Sequence, residues 1–390
     1  MTDNNEKVIP NVDSKSKEER NVPDLGIMTE LKNVADIFDG THQTPEYKDS
    51  GIPFVSVENI DDIYNYNKFI SIDAYTKEFS KNHPEQNDIL MTRIGDIGTP
   101  AFVTRSEDMG YYVSLALLKP KNINNKYLYY YIQTSYFQHE LWKKTIHVAF
   151  PKKINKEDIG ECKIFLPGLP YQNKIVPLFD KLEARIMAQK KIIEDLIVLN
   201  KAIINKMKSK SVLNQPIKLT DIANYYNGVA HEDDVDENGY TLINSKFISS
   251  DGEIQKFCKT ARFPLKKNDI CLVLSDLPNG KALAKCFYVD EDNKYTLNQR
   301  IACIRSKDLL LSKYLYYYIN RNSYFLKYDD GVNQTNLSKN AVTKFMIRIH
   351  NSYQKYVSLL DDVNIKITNE KKILSLYIKQ KQYLLNKMFI

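Results

Sequence analysis

The chain holds residue types that could do chemistry, but their spacing assembles no reaction centre. Ser275 to Lys281 ends in Gly-Lys like a phosphate-cradling loop, yet such a loop needs glycine where Ser275 stands and Ser or Thr where Ala282 stands. Pro23-Asp24 followed by Glu30-Leu31-Lys32 has the acid, acid and lysine of nucleases whose two carboxylates hold the Mg2+ that activates water, at too short a spacing. Methylation of a base amino group would call for Asn or Asp before Pro-Pro and an aromatic residue, and no Pro-Pro occurs. His42, His83, His139, His147, His231 and His350 are scattered without a ligand pattern. Cys162, Cys258, Cys271, Cys286 and Cys303 form no C-x-x-C pair and are odd in number, as expected of reduced thiols. No catalytic residue and no metal site is proposed, which leaves recognition as the chemistry to look for.

Composition narrows the partner. The 390 residues carry a net charge of +7, with a pI near 8.8, which favours a polyanion without naming it; abundant lysine alone explains the charge about as well. With 43% hydrophobic and 26% charged residues the chain can bury two or three cores. No apolar run reaches the roughly 18 residues of a membrane helix. Residues 1–27 are polar and charged, lack the apolar core of a signal peptide, and are expected to form a flexible arm on a cytoplasmic protein.

The elements that must position any recognition residues occur twice. Lys126-Tyr-Leu-Tyr-Tyr-Tyr-Ile132 recurs as Lys313 to Ile319, with Ser-Tyr-Phe following each time. Val34 to Gly40 lines up with Ile222 to Gly228, Gly51 with Gly239, and Asn87-Asp88-Ile89 with Asn268-Asp269-Ile270, all in the same order. A period of 181 to 188 residues is a whole domain with its connection. Each copy opens with strand-like segments such as Ile52 to Val57, Tyr240 to Ile243, Asn87 to Met91 and Asn268 to Leu274, then a tyrosine-rich helix with Leu128, Ile132, Leu315 and Ile319 spaced by four. That spacing assigns the tyrosines to the core rather than to base stacking.

Each copy ends in a glycine-free stretch with a coiled-coil seam. In the first it is Ile175, Phe179, Leu182, Ile186, Gln189, Ile193, Leu196, Asn200, Ile203 and Met207; in the second, Tyr356, Leu360, Val363, Ile367, Glu370, Leu374, Tyr377, Lys381, Leu384 and Met388. Both seams are polar at the same two layers. An antiparallel pair with a common centre would set Gln189 against Lys381 and Asn200 against Glu370. About 36 residues at 1.5 Å rise make a spacer of about 50 Å.

A duplicated, mildly basic, non-catalytic pair joined by long helices suits DNA with two half-sites at a set distance. Gly40-Thr-His-Gln-Thr-Pro-Glu-Tyr47, Gly51-Ile-Pro-Phe-Val55 and Asn87-Asp-Ile-Leu-Met-Thr-Arg-Ile-Gly95 resemble the target recognition domain of type I restriction-modification specificity (S) subunits. Leu166 to Ile175 resembles the Pro-rich turn and Gln that open that family's conserved helix, and Leu384 to Phe389 its C-terminus. The second copy departs, with Ile349 to Ser352 in place of prolines and Leu274-Ser275-Asp276 in place of Thr-Arg-x-Gly, while Gln172 and Gln354 are expected to keep their place.

The resemblance implies an α+β fold: two tandem α/β target recognition domains (28–170 and 213–352), each followed by a long helix (171–212 and 353–390), the helices pairing as an antiparallel coiled coil with pseudo-twofold symmetry. It implies a non-catalytic subunit that reads a bipartite double-stranded DNA target and docks two modification (methyltransferase) and two restriction (motor-nuclease) subunits. S-adenosylmethionine, ATP and Mg2+ would then sit on those partners. The other readings are a stand-alone two-domain DNA-binding regulator and a scaffold. Side chains able to make phosphate or bidentate base contacts give the DNA-binding candidates: Thr92, Arg93, Lys143, Lys144, His147, Lys152 and Lys153 in the first copy, and Lys281, Lys285, Asn298, Gln299, Arg300, Asn333, Gln334 and Asn336 in the second, with Arg93, Arg300 and Gln334 foremost.

Overall fold

A computed structural model describes residues 26–209, 215–277, 280, 282–329 and 333–389. The arm expected over 1–27, apart from its last two residues, the Pro23-Asp24 pair and the candidate Lys281 lie outside the described residues. Contacts divide the chain into two units, Met1–Met187 with Ser375–Ile390, and Ala188–Leu374.

In the first unit, strands β1 (Ala35–Asp39), β2 (Ile89–Ile94), β3 (Asp96–Phe102) and β4 (Leu115–Pro120) form an antiparallel sheet in the order β1-β4-β2-β3. The apolar runs in β2 and β4 are continuous because both faces are covered. The pleat sends Ile89, Met91, Ala116 and Leu118 into a core shared with helices. Leu90, Leu115 and Leu117 point the other way, onto Phe54 and Tyr111. Those two lie in a smaller sheet, where Ile52–Val55 pairs parallel with Gly110–Tyr111.

The second unit repeats the plan. Strands β5 (Ala223–Asn227), β6 (Ile270–Val273), β7 (Ser275–Asp276), β8 (Cys286–Tyr288) and β9 (Ile301–Ser306) follow in chain order, four of them forming a sheet β5-β9-β6-β8. Ile270, Leu272, Ala302 and Ile304 face the helices, and Cys271, Val273, Ile301 and Cys303 the opposite core. Gly40 and Gly228 stand at matching turns because a Cβ there would lie 2.5 Å from the Tyr111 carbonyl oxygen and 2.0 Å from that of Asn298.

The repeated Asn-Asp-Ile has one physical job in both units. Asn87 (φ 76°) and Asn268 (φ 72°) take the left-handed turn that asparagine tolerates. Asp88 then accepts the Glu85 N–H at 2.8 Å and the Lys119 ammonium at 2.8 Å. Asp269 likewise accepts the Lys266 N–H at 2.8 Å and the Arg305 guanidinium at 2.7 and 2.6 Å. Burial pushes the Asp88 carboxyl above its ordinary range, so the cation from the neighbouring strand is required there.

Helices α1 (Asn125–Ile132), α2 (Ser135–Lys144) and α3 (Leu169–Met207) complete the first copy, and α4 (Leu309–Ile319) and α5 (Tyr353–Met388) the second. Leu128, Ile132, Leu315 and Ile319 are fully buried, as their spacing requires, and so are Tyr127 and Tyr314. The tyrosine phrases also bind the long helices. Lys126 Nζ reaches Asp180 at 2.8 Å and the Tyr130 hydroxyl donates to the same carboxylate at 2.8 Å; Lys313 and Tyr317 hold Asp361 at 2.7 and 2.5 Å. Burial, then the bonded carboxylate, push both hydroxyls well above the usual tyrosine range.

The long helices pack antiparallel within each unit, with a register that differs from the expected one. Gln189 donates to the side chain of Glu370 and to its carbonyl oxygen at 3.3 Å. Asn200 donates to Asn364 at 2.9 Å, and Lys381 pairs with Glu183 at 2.6 Å and Gln133 at 2.8 Å. Lys381 therefore does not meet Gln189, nor Asn200 Glu370. The expected register would have set Lys381 against an amide; the observed one gives it a carboxylate, a far better partner for a partly buried ammonium. Most seam side chains are buried or half-buried, but Leu385 and Phe389, outside the predicted seam, are the more deeply buried residues at the end of α5. Phe389 stacks on Tyr127 at 4.9 Å and meets Phe179 at 5.1 Å.

Helix α3 opens at Leu169 because Pro170 fits a first helical turn. Gln172, 1% exposed, donates to the Pro167 carbonyl at 2.7 Å and accepts the Asn124 N–H at 2.8 Å. Gln354 does not repeat this: it is exposed, and at the offset of 181 that matches Asp180 to Asp361 the counterpart of Gln172 is Tyr353. Asp180→Ala strands the buried Tyr130 hydroxyl and should lower stability by about 1–3 kcal/mol in urea unfolding, with Asp180→Ala/Tyr130→Phe recovering most of the loss. A single variant as stable as the parent removes the clasp from the account.

Candidate nucleic-acid interface

Strands β2 and β3 meet at Gly95, whose left-handed φ of 82° makes the tight turn. Thr92 and Arg93, just before it, point inward. Thr92 is fully buried, donating to Asp96 at 3.2 Å and accepting the Thr99 N–H at 2.9 Å, so it braces the hairpin. Arg93 is 6% exposed; its guanidinium is ion-paired with Asp39 and donates from Nε to the Ile154 carbonyl at 3.1 Å. Both side chains thus serve as internal braces, Thr92 within the hairpin and Arg93 through Nε and Nη1 to Ile154 and Asp39.

What Arg93 braces is the loop from Thr145 to Lys153. The Ile154 N–H donates to the Arg93 carbonyl at 3.1 Å, Gly95 N–H to Lys152 O at 2.8 Å, and Ile146 N–H to Lys153 O at 2.8 Å. The loop is thereby laid along the hairpin tip as a further strand-like segment, with Lys153 bridging Ile94 and Ile146. Lys152 and Lys153 project into solvent and carry no ion pair among the described residues. Lys143 and Lys144 are tied to Glu140 and Glu161 at 3.0 and 2.8 Å; the Glu161 carboxylate holds the Lys144 ammonium above its ordinary value. His147 is exposed and bonds the Trp142 carbonyl at 2.9 Å.

The loop also exposes apolar side chains that were not among the candidates. Val148 and Phe150 are 97% and 104% exposed, and Trp142, 60% exposed, stacks on His139 at 5.9 Å. Two lysines flanking a bare aromatic make a surface suited to a polyanion with apolar base faces and thymine methyls. The available signal was Trp142 to Pro151 itself, an apolar and aromatic stretch beside a Lys-Lys pair with no helical or strand period demanding burial.

The second unit builds the same frame from different side chains. Leu274 takes the place of Arg93: its N–H donates to Arg300 O at 3.1 Å and its carbonyl accepts Leu337 N–H at 2.7 Å, as Arg93 does with Ser114 and Ile154. Strand β7 pairs with β10 (Thr335–Asn336), setting Asn336 opposite Ser275 as Lys153 is opposite Ile94. Gln334 donates to the Ser275 hydroxyl at 2.7 Å. Arg300, Asn333, Gln334 and Asn336 are exposed around this pairing. The remaining candidates are engaged internally. Lys285 holds Asp251 at 2.8 Å, Gln299 donates to Glu232 at 2.9 Å, and Asn298 shapes the turn by accepting the Arg300 N–H at 3.3 Å.

A model of the type I restriction modification DNA specificity domain matches the chain twice, over residues 28–196 and 212–376. The fold is similar to the type I restriction-modification S subunit from M. genitalium, with a TM-score of 0.57 at 16% identity over 96% of this chain and 98% of that one. It is also similar to a chain from a structure concerning complex assembly and conformational transition of the type I R-M system, at 0.58 and 11%, covering 95% and 99%. Two specificity domains with paired long helices define a DNA-recognition protein, and the chain belongs to the type I restriction-modification specificity family, the non-catalytic, sequence-reading component of such systems.

Lys152→Ala/Lys153→Ala should weaken DNA binding uniformly across sequences and flatten the slope of log affinity against log salt by about 2, one for each lost phosphate contact. Phe150→Ala should leave that slope unchanged. An unaltered slope in the double lysine variant removes this loop from the interface.

Proposed function

We propose that each unit reads one part of a bipartite double-stranded DNA target, the paired helices setting the unspecified gap. The observation that carries this is one frame with unlike side chains at corresponding positions: Lys152-Lys153 in the first unit against Thr335-Asn336 in the second, and Ser114 against Arg300. Two equal readers would need equal contacts; these suit a phosphate-gripping, apolar loop in one unit and hydrogen-bonding amides with one guanidinium in the other, so the two parts differ in sequence.

The chain then acts in the cytoplasm as the specificity subunit of a complex with two modification (methyltransferase) and two restriction (motor-nuclease) subunits. S-adenosylmethionine, ATP and Mg2+ reside on those partners, which methylate adenine, translocate DNA and cleave it. The stand-alone regulator is less favoured, because a regulator has no need of two units sharing both long helices, as Met1–Met187 with Ser375–Ile390 and Ala188–Leu374 do here.

Tagged protein should bring down a methyltransferase subunit, and cells expressing both should acquire one new bipartite adenine-methylation motif on modification-sensitive sequencing. Exchanging residues 28–165 for a relative's should rewrite one half of that motif. A change in both halves, or no partner and no motif, defeats the proposal.

A further inference from the structure

The duplication supplies an internal control for one cavity. In the second unit an open cavity of about 460 Å³ is lined by α3, α5 and the turn after α4. Three cations line it, Lys201, Lys208 and Arg321, and among the described residues no carboxylate does. Lys208 is half-buried, its ammonium 5.7 Å from the centre of the Tyr318 ring, and burial holds it down to about 8. Arg321 donates from Nη1 to the Leu283 carbonyl at 2.8 Å, so its charge is not neutralised by that bond. Asn320 spends its side-chain oxygen on the Cys286 N–H at 2.9 Å, and its amide donor has no partner among the described residues.

Two of the corresponding positions of the first unit are filled differently. At the offset of 181, Lys208 corresponds to Phe389 and Asn364 to Glu183. Phe389 fills its place with a ring 1% exposed, and Glu183 neutralises Lys381 at 2.6 Å. The second unit thus has an ammonium where the first has a ring, and an amide where the first has a carboxylate. Lys201 and Arg321 are exposed at the rim while Lys208 is half-buried, and a half-buried ammonium without a counter-charge is costly unless an anion completes it.

We propose that this cavity is a binding site for an oxyanion, a phosphate or carboxylate group held by Lys201, Lys208 and Arg321 with the free amide donor of Asn320. Nothing in this site depends on how DNA is read.

The test is calorimetric titration of the full chain with inorganic phosphate and, separately, with free glutamate at fixed ionic strength. Saturable binding of one anion per chain, by either, is expected and distinguishes the two sources. Lys208→Met removes a poorly paired ammonium without loss of volume, so it should fold normally by circular dichroism and weaken the binding at least about tenfold, on the order of one charge-assisted contact. Asn364→Glu supplies the carboxylate that Glu183 supplies in the first unit; it should abolish binding and raise the unfolding midpoint. Absence of saturable binding by both anions, or parental affinity in either variant, overturns the proposal.

Discussion

Each unit is held in shape by a carboxylate on a long helix that accepts two donors from a tyrosine-rich helix. Asp180 takes Lys126 and Tyr130, and Asp361 takes Lys313 and Tyr317. The two donors sit one turn apart, so together they fix both the height and the rotation of the short helix against the long one. Tyr127 and Tyr131 then bind the strand edge at Phe165, and Tyr314 and Tyr318 do the same at Arg348. The sheets pack on those helices, and the loops at Thr145 to Lys153 and Thr335 to Asn336 are pinned to the sheet tips by backbone bonds. Loss of the clasp would loosen every later layer in turn.

That hierarchy explains which parts tolerate variation. Buried carboxylates with fixed cations, Asp88 with Lys119 and Asp269 with Arg305, recur because an unpaired buried charge is costly. The loop frame recurs too, since the main-chain bonds of Arg93 and Leu274 require no particular side chain. What those bonds present to solvent is free to differ, and it does.

Much of this was legible in the sequence. The repeated heptapeptide, the paired Asn-Asp-Ile turns and the seams gave the duplication, the strand starts and the two long helices, because periodicity reports burial directly. Helix register was not legible: a seam shows which face is buried, not what it meets, and Glu183 and Asn364 lay off the seam. The internal engagement of Arg93 and Thr92 is hidden for a related reason. Residue type shows what a side chain can bond, but only the fold shows that Asp39, the Ile154 carbonyl and Asp96 are partners within the unit. The exposure of Phe150 is set by the backbone of its loop and carries no periodic signal in the sequence.

The central claim is that a clasped frame carries interchangeable reading loops. It is tested most directly by recording the methylated motif in cells whose specificity subunit carries either Asp361→Asn or a replacement of Gln334 and Asn336 by lysine. The account predicts that the first variant lowers the extent of methylation while leaving every base of the motif unchanged, and that the second alters the bases of one half only. A motif rewritten by the clasp variant, or left intact by the loop variant, would contradict it.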